Sequence, residues 1–243
     1  MNQISGVLNI DKPKGLTSHD VVGRIRRLSG QRKAGHTGTL DPMATGVLVV
    51  CLGQATRLIE YMRSDPKKYR ATIRFGITTN TYDAEGDTVN RHDISRLAPD
   101  QLRPVLSKFL GEIQQCPPVF SAIKRDGRPL YKAARKGITV LVDPRPVTIY
   151  DLQWIAWQPP DLTLDVSCSP GTYIRSLAHD LGRAVETGAH LAGLIRTANG
   201  PWRLDQAVAL TELDEANWQL YLQSLDRALA HLPAVTLDSM DVD

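Results

Sequence analysis

Two segments of the chain alternate regularly between apolar and polar residues. From Tyr69 to Phe75 every second side chain is apolar, and the side chains between them are basic or hydroxyl-bearing. The segment from Leu162 to Cys168 alternates in the same way and leads to a Pro-Gly turn. A period of two predicts half-buried strands, and the continuous apolar run VLVVCL at 47–52 predicts a buried strand.

Apolar positions spaced by three or four residues predict three helices. The first follows Ser18, a suitable N-cap residue, and is ended by Gly30. The second carries an apolar stripe from Ile174 to Leu181, and the third covers about 211–232. Strands and helices do not alternate as regular βαβ units. The pattern therefore predicts an α+β fold with a mixed, largely antiparallel central sheet flanked by helices and loops.

The composition is that of an ordinary globular protein, but its charge is unevenly distributed. Of the 243 residues, 42% are hydrophobic and 23% are charged, and the formal net charge is +3. Residues 1–80 contain 13 Lys or Arg against 5 Asp or Glu, whereas residues 201–243 contain 2 against 8. This concentration of positive charge is expected of a surface that meets a phosphate backbone, and an ordinary solvated basic face is the alternative.

The cysteines and histidines form no pattern typical of a metal site. The three cysteines are scattered, which fits reduced packing residues of a cytoplasmic protein better than disulfides. No histidine has metal-ligand spacing, and no dinucleotide or phosphate-loop fingerprint occurs. No apolar run approaches about 18 residues, and no signal-peptide pattern is evident. We therefore expect no metal site and no membrane association.

The segment GHTGTLDPMATGVL at 35–48 surrounds one aspartate, Asp41, with turn-forming residues. Because Asp41 precedes Pro42, its backbone is disfavoured in a helix, and the glycines of the segment permit tight turns or the close approach of a ligand. Asp41 is therefore predicted to lie on a loop at the rim of the sheet, where a rigid scaffold can present a reactive carboxylate. From the residues alone, an ordinary turn aspartate is the alternative.

Five segments, in order and covering most of residues 6 to about 200, resemble the motifs of the TruB family of tRNA pseudouridine synthases. They are GVLNIDKPKGLTSHDVV at 6–22, GHTGTLDPMATGVL at 35–48, KKYRATIRFGITTNTYDAEGD at 67–87, QCPPVFSAIKRDGRPLYKAARKG at 115–137 and CSPGTYIRSLAHDLG at 168–182.

This resemblance implies a pseudouridine synthase fold and the isomerisation of uridine to pseudouridine at position 55, in the TΨC loop of tRNA. The enzyme would flip the base out, break its N1–C1′ bond and rejoin it through C5, without a cofactor. Asp41 would be the catalytic carboxylate, acting either by attack on C1′ or by removal of a ribose proton. The sequence leaves both routes open.

The motifs also imply roles for other residues. Arg175 would pair with Asp41 and hold it ionised. Tyr69 would stack on the flipped base and assist proton removal from C5, and Tyr173 would be a second substrate-contacting tyrosine. Considered without the family, Tyr69 fits better as a core residue and Arg175 fits better as a structural arginine.

Three further residues are expected near the substrate. Leu194 would line an apolar pocket, although ordinary core packing explains it almost as well. His36 would occupy the space near the flipped nucleotide, and it is not assigned proton transfer. Lys12 would either support the Asp41 loop or contact phosphate.

Residues 115–137 resemble the RNA-gripping thumb of the family. Basic residues are interleaved there with Phe120 and Tyr131, as in segments that contact phosphates and bases. We expect one catalytic domain over 1–232, which includes this thumb, and a tail over 233–243. The PUA-type RNA-binding domain that follows in bacterial members is expected to be absent.

The expected partner is tRNA, bound by a monomeric cytoplasmic enzyme. One alternative is a guide-RNA-dependent pseudouridine synthase, which the expected lack of a C-terminal docking domain disfavours. Another is a tRNA-folding chaperone that flips and clamps without catalysis. Asp41 argues against a pure chaperone, because a buried carboxylate does not help to bind a polyanion.

Overall fold

A computed structural model of the chain describes residues 4–63, 66–120, 124–125, 128–129, 142–230 and 233. The strands are β1 (Gly6–Lys12), β2 (Ala34–His36), β3 (Thr45–Leu52), β4 (Lys67–Phe75), β5 (Ile77–Thr79), β6 (Thr88–Arg91), β7 (Gly111–Gln115), β8 (Lys124–Arg125), β9 (Arg128–Pro129), β10 (Arg145–Gln158), β11 (Asp161–Cys168), β12 (Ala189–Asn199), β13 (Trp202–Arg203) and β14 (Val208–Ala209). The helices are α1 (Ser18–Ser29), α2 (Ile59–Met62), α3 (Pro99–Ser107), α4 (Ile174–Ala184) and α5 (Leu225–Leu229).

Within the described residues, ten strands form one mixed sheet in the order β14-β1-β3-β12-β4-β11-β10-β7, with β2 paired to β3 and β13 to β12. The β1–β14 and β3–β12 pairs are parallel, and the other pairs in this sheet are antiparallel. The predicted α+β fold with a mixed, largely antiparallel sheet is confirmed. The parallel β3–β12 contact brings the strand after Asp41 beside the strand that carries Leu194.

The two alternating segments are the strands β4 and β11, as predicted. Their apolar residues are buried in the core together with α3 and α4. On the other face, Arg70 and Arg74 make bidentate ion pairs with Asp165 and Asp161 across the two strands. The run 47–52 lies in β3 and is entirely buried, because its two faces contribute to different apolar clusters.

The first helix begins as predicted, but its N-cap is Thr17 and not Ser18. Thr17 Oγ1 accepts from the Asp20 backbone amide, and Asp20 in turn accepts from the Thr17 amide, so the pair forms a capping box. Ser18 is buried and turned towards the loop before Asp41. The helix ends at Gly30, whose φ of 64° is the left-handed conformation common at helix C-termini.

The prediction of one helix over about 211–232 is wrong for the described part of that segment. It contains short 3-10 turns at Leu210–Glu212 and Trp218–Tyr221 and only one short helix, α5. Trp218 packs into the cluster below β1 and β3, and the chain then pairs with β1 through Gln223. In the described part of this segment, contacts of single residues such as Trp218 and Gln223 with the rest of the fold thus take the place of a continuous helix.

Gly46, at the start of β3, is a position where only glycine fits. Its φ is +96°, and an added Cβ would overlap the backbone of Arg196 in the neighbouring β12. We expect Gly46→Ala to lower the free energy of unfolding by more than about 2 kcal/mol, because left-handed strain and a backbone clash add together. Urea denaturation of the purified protein measures this change.

Gly15→Ala is the matched control, since Gly15 has a φ of +88° but no atom within 4 Å of an added Cβ. The decrease in the free energy of unfolding of Gly15→Ala reports the cost of the left-handed backbone alone, about 1–2 kcal/mol. Equal losses in the two variants would contradict the role assigned to the β3–β12 contact.

Candidate active site

Six of the seven residues singled out in the sequence line one cleft of about 590 Å³. Different elements supply them: β2, the loop between β2 and β3, β4, the turn before α4, α4 itself and β12. In that order they are His36, Asp41, Tyr69, Tyr173, Arg175 and Leu194. A cleft of this volume is of the size that holds a small organic ligand.

The loop that presents Asp41 is held from behind by polar contacts. Ser18 Oγ accepts from the Leu40 amide at 2.8 Å and donates to the Leu40 carbonyl at 3.2 Å. The Ala44 amide donates to the Asp41 carbonyl at 3.1 Å and closes the turn after Pro42. The main chain on both sides of Asp41 is therefore fixed, while its side chain keeps 34% of its surface exposed to the cleft.

Lys12 lies behind this loop and is fully buried. Its Nζ donates to the carbonyls of Pro13, Leu16 and Pro42 at 3.0, 2.6 and 3.3 Å. Burial lowers the pKa of Lys12 to about 8, and the charge of Asp41 works in the opposite direction. Because all three donors of the ammonium are taken, Lys12 supports the loop and has none to offer a phosphate.

Arg175 connects two carboxylates in the floor of the cleft. Its Nη2 donates to Asp41 Oδ1 at 3.2 Å, and its Nε lies 3.0 Å from Asp41 Oδ2, in an ion pair that is not an aligned hydrogen bond. On the other side, Nη1 lies 3.4 Å from Asp83 Oδ2. With 6% of its side chain exposed, Arg175 is a buried cation between two anions.

Asp83 is a site residue that the sequence analysis missed. Its Oδ1 accepts from Thr81 Oγ1 at 2.6 Å and from the Glu85 amide at 3.0 Å, and the residue is 4% exposed. It lies in the motif that contains Tyr69, but nothing in that string marks Asp83 as buried rather than as a turn residue. Only the tertiary structure places it against Arg175.

Burial, Arg175 and Asp83 have the largest effects on the pKa of Asp41, and they do not all act in the same direction. Burial raises the pKa of the Asp41 carboxyl above its ordinary value, Arg175 lowers it, and the negative charge of Asp83 raises it again. A carboxylate in this surrounding is less solvated and more reactive than one in water. Arg175 and, more weakly, Lys12 favour its ionised form.

Tyr69 lies on β4 at the edge of the main core and is 9% exposed. Leu194, on the adjacent β12, packs in the same core and lines the same cleft. Arg196, which the sequence analysis did not single out, faces the Tyr69 side chain from β12 and also lines the cleft. One aromatic ring and one aliphatic side chain therefore form an apolar part of the cleft wall.

Tyr173 is held through its main chain by a buried glutamine. Gln115, at the end of β7, accepts from the Tyr173 amide at 2.7 Å and donates to the Tyr173 carbonyl at 3.1 Å. Ser176 Oγ donates to the carbonyl of Cys116 at 2.7 Å. These bonds fix the start of α4, and with it Arg175, relative to the base of the predicted thumb.

His36 is in edge-to-face contact with His19, with ring centroids 5.6 Å apart. Burial lowers the pKa of His36 to about 4, and the positive charges of His19, Arg196 and Arg63 act in the same direction. His36 is therefore a neutral ring near pH 7. A neutral planar side chain is suited to stacking or filling space and not to pairing with phosphate.

Most of the predicted thumb at 115–137 lies outside the described residues. Within the described part, Lys124–Arg125 pairs with Arg128–Pro129 as a short antiparallel ladder. The Phe120 carbonyl accepts from Arg175 Nη2 at 3.0 Å. The base of this segment is thus in direct contact with the cation of the site.

Within the described part of the chain, no group of three or more His, Cys, Asp or Glu residues is placed to hold a metal ion. No described helix combines the length and the apolar character that crossing a membrane requires.

Comparison with known proteins identifies the family. The family model described as TruB family pseudouridylate synthase (N terminal domain) matches residues 26–174. The chain belongs to the TruB family. The model described as tRNA pseudouridylate synthase B C-terminal domain matches residues 175–234, so the two TruB models meet between Ile174 and Arg175.

Curated relatives in the TruB family are similar over nearly the whole chain. The protein named tRNA pseudouridine synthase B of Syntrophotalea carbinolica is 46% identical over 238 residues, covering 96% of this chain and 78% of the relative. The protein of the same name from Symbiobacterium thermophilum is 48% identical over 239 residues, covering 97% and 79%. The resemblance seen in the five motifs is confirmed.

Solved structures confirm the pseudouridine synthase fold. A chain of a Cbf5-Nop10-Gar1 complex aligns with a TM-score of 0.73 at 32% identity, and a chain of an H/ACA RNP bound to a substrate RNA containing 2′-deoxyuridine aligns with 0.71 at 30%. Each alignment covers 94% of this chain and 62% of the other chain, so this chain spans less than two thirds of those proteins.

The three charges at the site generate a prediction about Asp41. Arg175→Ala removes the cation that favours the carboxylate, so the pKa of Asp41 should rise further. Asp83→Asn removes a negative charge, so the pKa of Asp41 should fall. Titration of the Asp41 side-chain carboxyl by carbon-13 NMR measures both changes.

Arg74→Ala is the control, because Arg74 pairs with Asp161 on the other face of β4. This variant should leave the Asp41 titration unchanged. Shifts of the same sign in the Arg175 and Asp83 variants would refute the arrangement of alternating charges.

Proposed function

We propose that this chain isomerises uridine to pseudouridine at position 55 in the TΨC loop of tRNA, acting as a monomeric cytoplasmic enzyme without a cofactor. The observation that carries the proposal is the buried Arg175 that pairs with Asp41 at the floor of a cleft with an apolar wall. The names of the curated relatives, tRNA pseudouridine synthase B, support tRNA as the substrate.

The reaction requires one carboxylate that acts on the ribose while the detached base stays in place. Asp41 is the acidic group that faces the cleft, whereas Asp83 lies behind Arg175 with its oxygens engaged. Arg175 keeps Asp41 ionised for attack on the nucleotide. A hydrolytic glycosidase would instead need a second carboxylate to handle water.

The cleft also suits a base that has been flipped out of a stacked loop. Tyr69 offers its ring for stacking on that base, and Leu194 excludes water beside it. His36 and Tyr173 lie at the same cleft, and the uncharged His36 ring fits the space next to the displaced nucleotide. Lys12 contributes by holding the Asp41 loop.

Arginines on α1 and in the loop after it supply a surface for the RNA backbone. Arg26 and Arg27 are exposed on the last turn of α1, and Arg32 and Lys33 follow it. His36, at the rim of the cleft, comes a few residues later in β2. Phosphate contacts of this kind provide affinity that falls as salt concentration rises.

Two other functions make different demands on the same site. A guide-RNA-dependent synthase would act only with a guide, and the chains of the H/ACA-type assemblies are less similar to this chain than the tRNA pseudouridine synthase B proteins are. A tRNA-folding chaperone would need the binding surface but not Asp41. Catalysis on tRNA alone therefore distinguishes the proposal from both.

The first test follows the C5 proton of uridine. An unmodified tRNA transcript labelled with tritium at C5 should release label to water from a single uridine when the wild-type protein is added without any guide RNA. Asp41→Asn should abolish release, because the amide cannot replace the carboxylate, and should still bind tRNA.

A transcript with cytidine in place of uridine 55 is the substrate control and should release no label. Release that persists with this transcript would move the proposed position elsewhere in the tRNA. Binding without release by the wild-type protein would favour the chaperone or the guide-dependent function.

The second test concerns the ion pair. Arg175→Ala should keep the fold, as judged by circular dichroism, and lower the single-turnover rate by at least about 100-fold, equivalent to about 3 kcal/mol. Because Asp41 would then bind protons more readily, part of the lost rate should return as the pH is raised. An unchanged rate would exclude a catalytic role for the pair.

A further inference from the structure

Arg196, on β12, is a buried arginine with 1% of its surface exposed. Its Nε donates to the Val47 carbonyl at 2.7 Å, and its Nη2 donates to the Gly38 carbonyl at 3.1 Å. Its Nη1 lies 3.4 Å from the Thr39 carbonyl. One guanidinium thus donates hydrogen bonds to the main chain both before and after Asp41.

Arg196 on β12 lies directly opposite Tyr69 on β4 in the antiparallel register, and both side chains line the cleft. Burial raises the pKa of Tyr69, whereas the charge of Arg196 and a side-chain hydrogen bond from it work in the opposite direction. A guanidinium donates hydrogen bonds and accepts none. In a hydrogen bond between these two side chains, the Tyr69 oxygen is therefore the acceptor.

Packing alone does not account for a charge at this position. Among the described residues, no carboxylate forms an ion pair with Arg196. A buried cation without an anionic partner destabilises a fold relative to an apolar side chain of similar size. What Arg196 does provide is a planar set of donors that several oxygens from two parts of the cleft can share.

We propose that Arg196 is a positioning residue for catalysis, which holds the main chain beside Asp41 and the Tyr69 side chain opposite it in one fixed arrangement at the cleft. The inference rests on the proposed function and extends it. Asp41 and Tyr69 act on different parts of the same nucleotide, the ribose and the base. A single rigid connection between them keeps their separation constant while the base turns.

Arg196→Lys tests this connection, because an ammonium keeps the charge but cannot reach the separate acceptors that the guanidinium spans. We expect tRNA binding to be retained and the single-turnover rate to fall by about 100-fold, as for a small misplacement of reacting groups. Arg74→Lys, on the other face of β4, is the matched control and should keep the wild-type rate.

A double-mutant cycle with Tyr69→Phe separates positioning from general damage to the fold. If Arg196 acts through Tyr69, the loss caused by Arg196→Lys should be much smaller in the Tyr69→Phe background than in the wild type. Full additivity, or a wild-type rate in Arg196→Lys, would overturn the inference.

NMR of the arginine side chains tests whether Arg196 contacts Tyr69, and it does so even if Arg196→Lys fails to fold. In the otherwise unchanged protein, Tyr69→Phe should shift the guanidinium signals of Arg196 and leave those of Arg74 in place. Unchanged Arg196 signals would refute the contact. Absence of isomerisation by the wild-type protein would instead refute the proposed function, and the NMR result would stand apart from it.

Discussion

The ion pair between Asp41 and Arg175 is the interaction on which the site depends. It joins residues 134 positions apart in the chain, and Arg175 also contacts Asp83 and the Phe120 carbonyl. Four separate segments therefore meet at one buried guanidinium. Removing the charge from one partner would leave others buried and unpaired, which is costly in a site of low polarity. The cleft and the Asp41 carboxylate are in this sense a single electrostatic unit.

Around this ion pair, buried polar side chains form hydrogen bonds with main-chain groups and hold them in place. Lys12 and Ser18 bind carbonyls or amides of the Asp41 loop from β1 and α1. Tyr82, between Thr81 and Asp83, has a φ of 64° and stacks on His179 with centroids 3.9 Å apart. Left-handed backbone at a non-glycine residue is strained, and such strain collects at functional sites. The backbone beside Asp83 is thus held in one conformation at a cost in stability.

Much of the fold follows from local pattern. The alternation in β4 and β11, the buried run in β3 and the apolar stripe of α4 each determine which face is covered, and all three were predicted correctly. The predictions failed where a side chain serves a distant partner. Ser18 looked like a cap but bonds the Leu40 backbone, and the expected last helix gives way to turns anchored by Trp218. Neither partner is visible within a local window of sequence.

The sequence by itself determined the family and the α+β class and singled out Asp41 as the candidate carboxylate, because motif strings and periodicity are local properties of the chain. Only the tertiary structure decided which polar residues are buried together. Asp83 and Arg196 are ordinary charged residues in the sequence, whereas the fold buries Asp83 against Arg175 and the sheet order β3-β12-β4 brings Arg196 to the cleft. Their burial strengthens the contacts of Asp83 with Arg175 and of Arg196 with the Asp41 loop, since a charge acts most strongly where water is excluded.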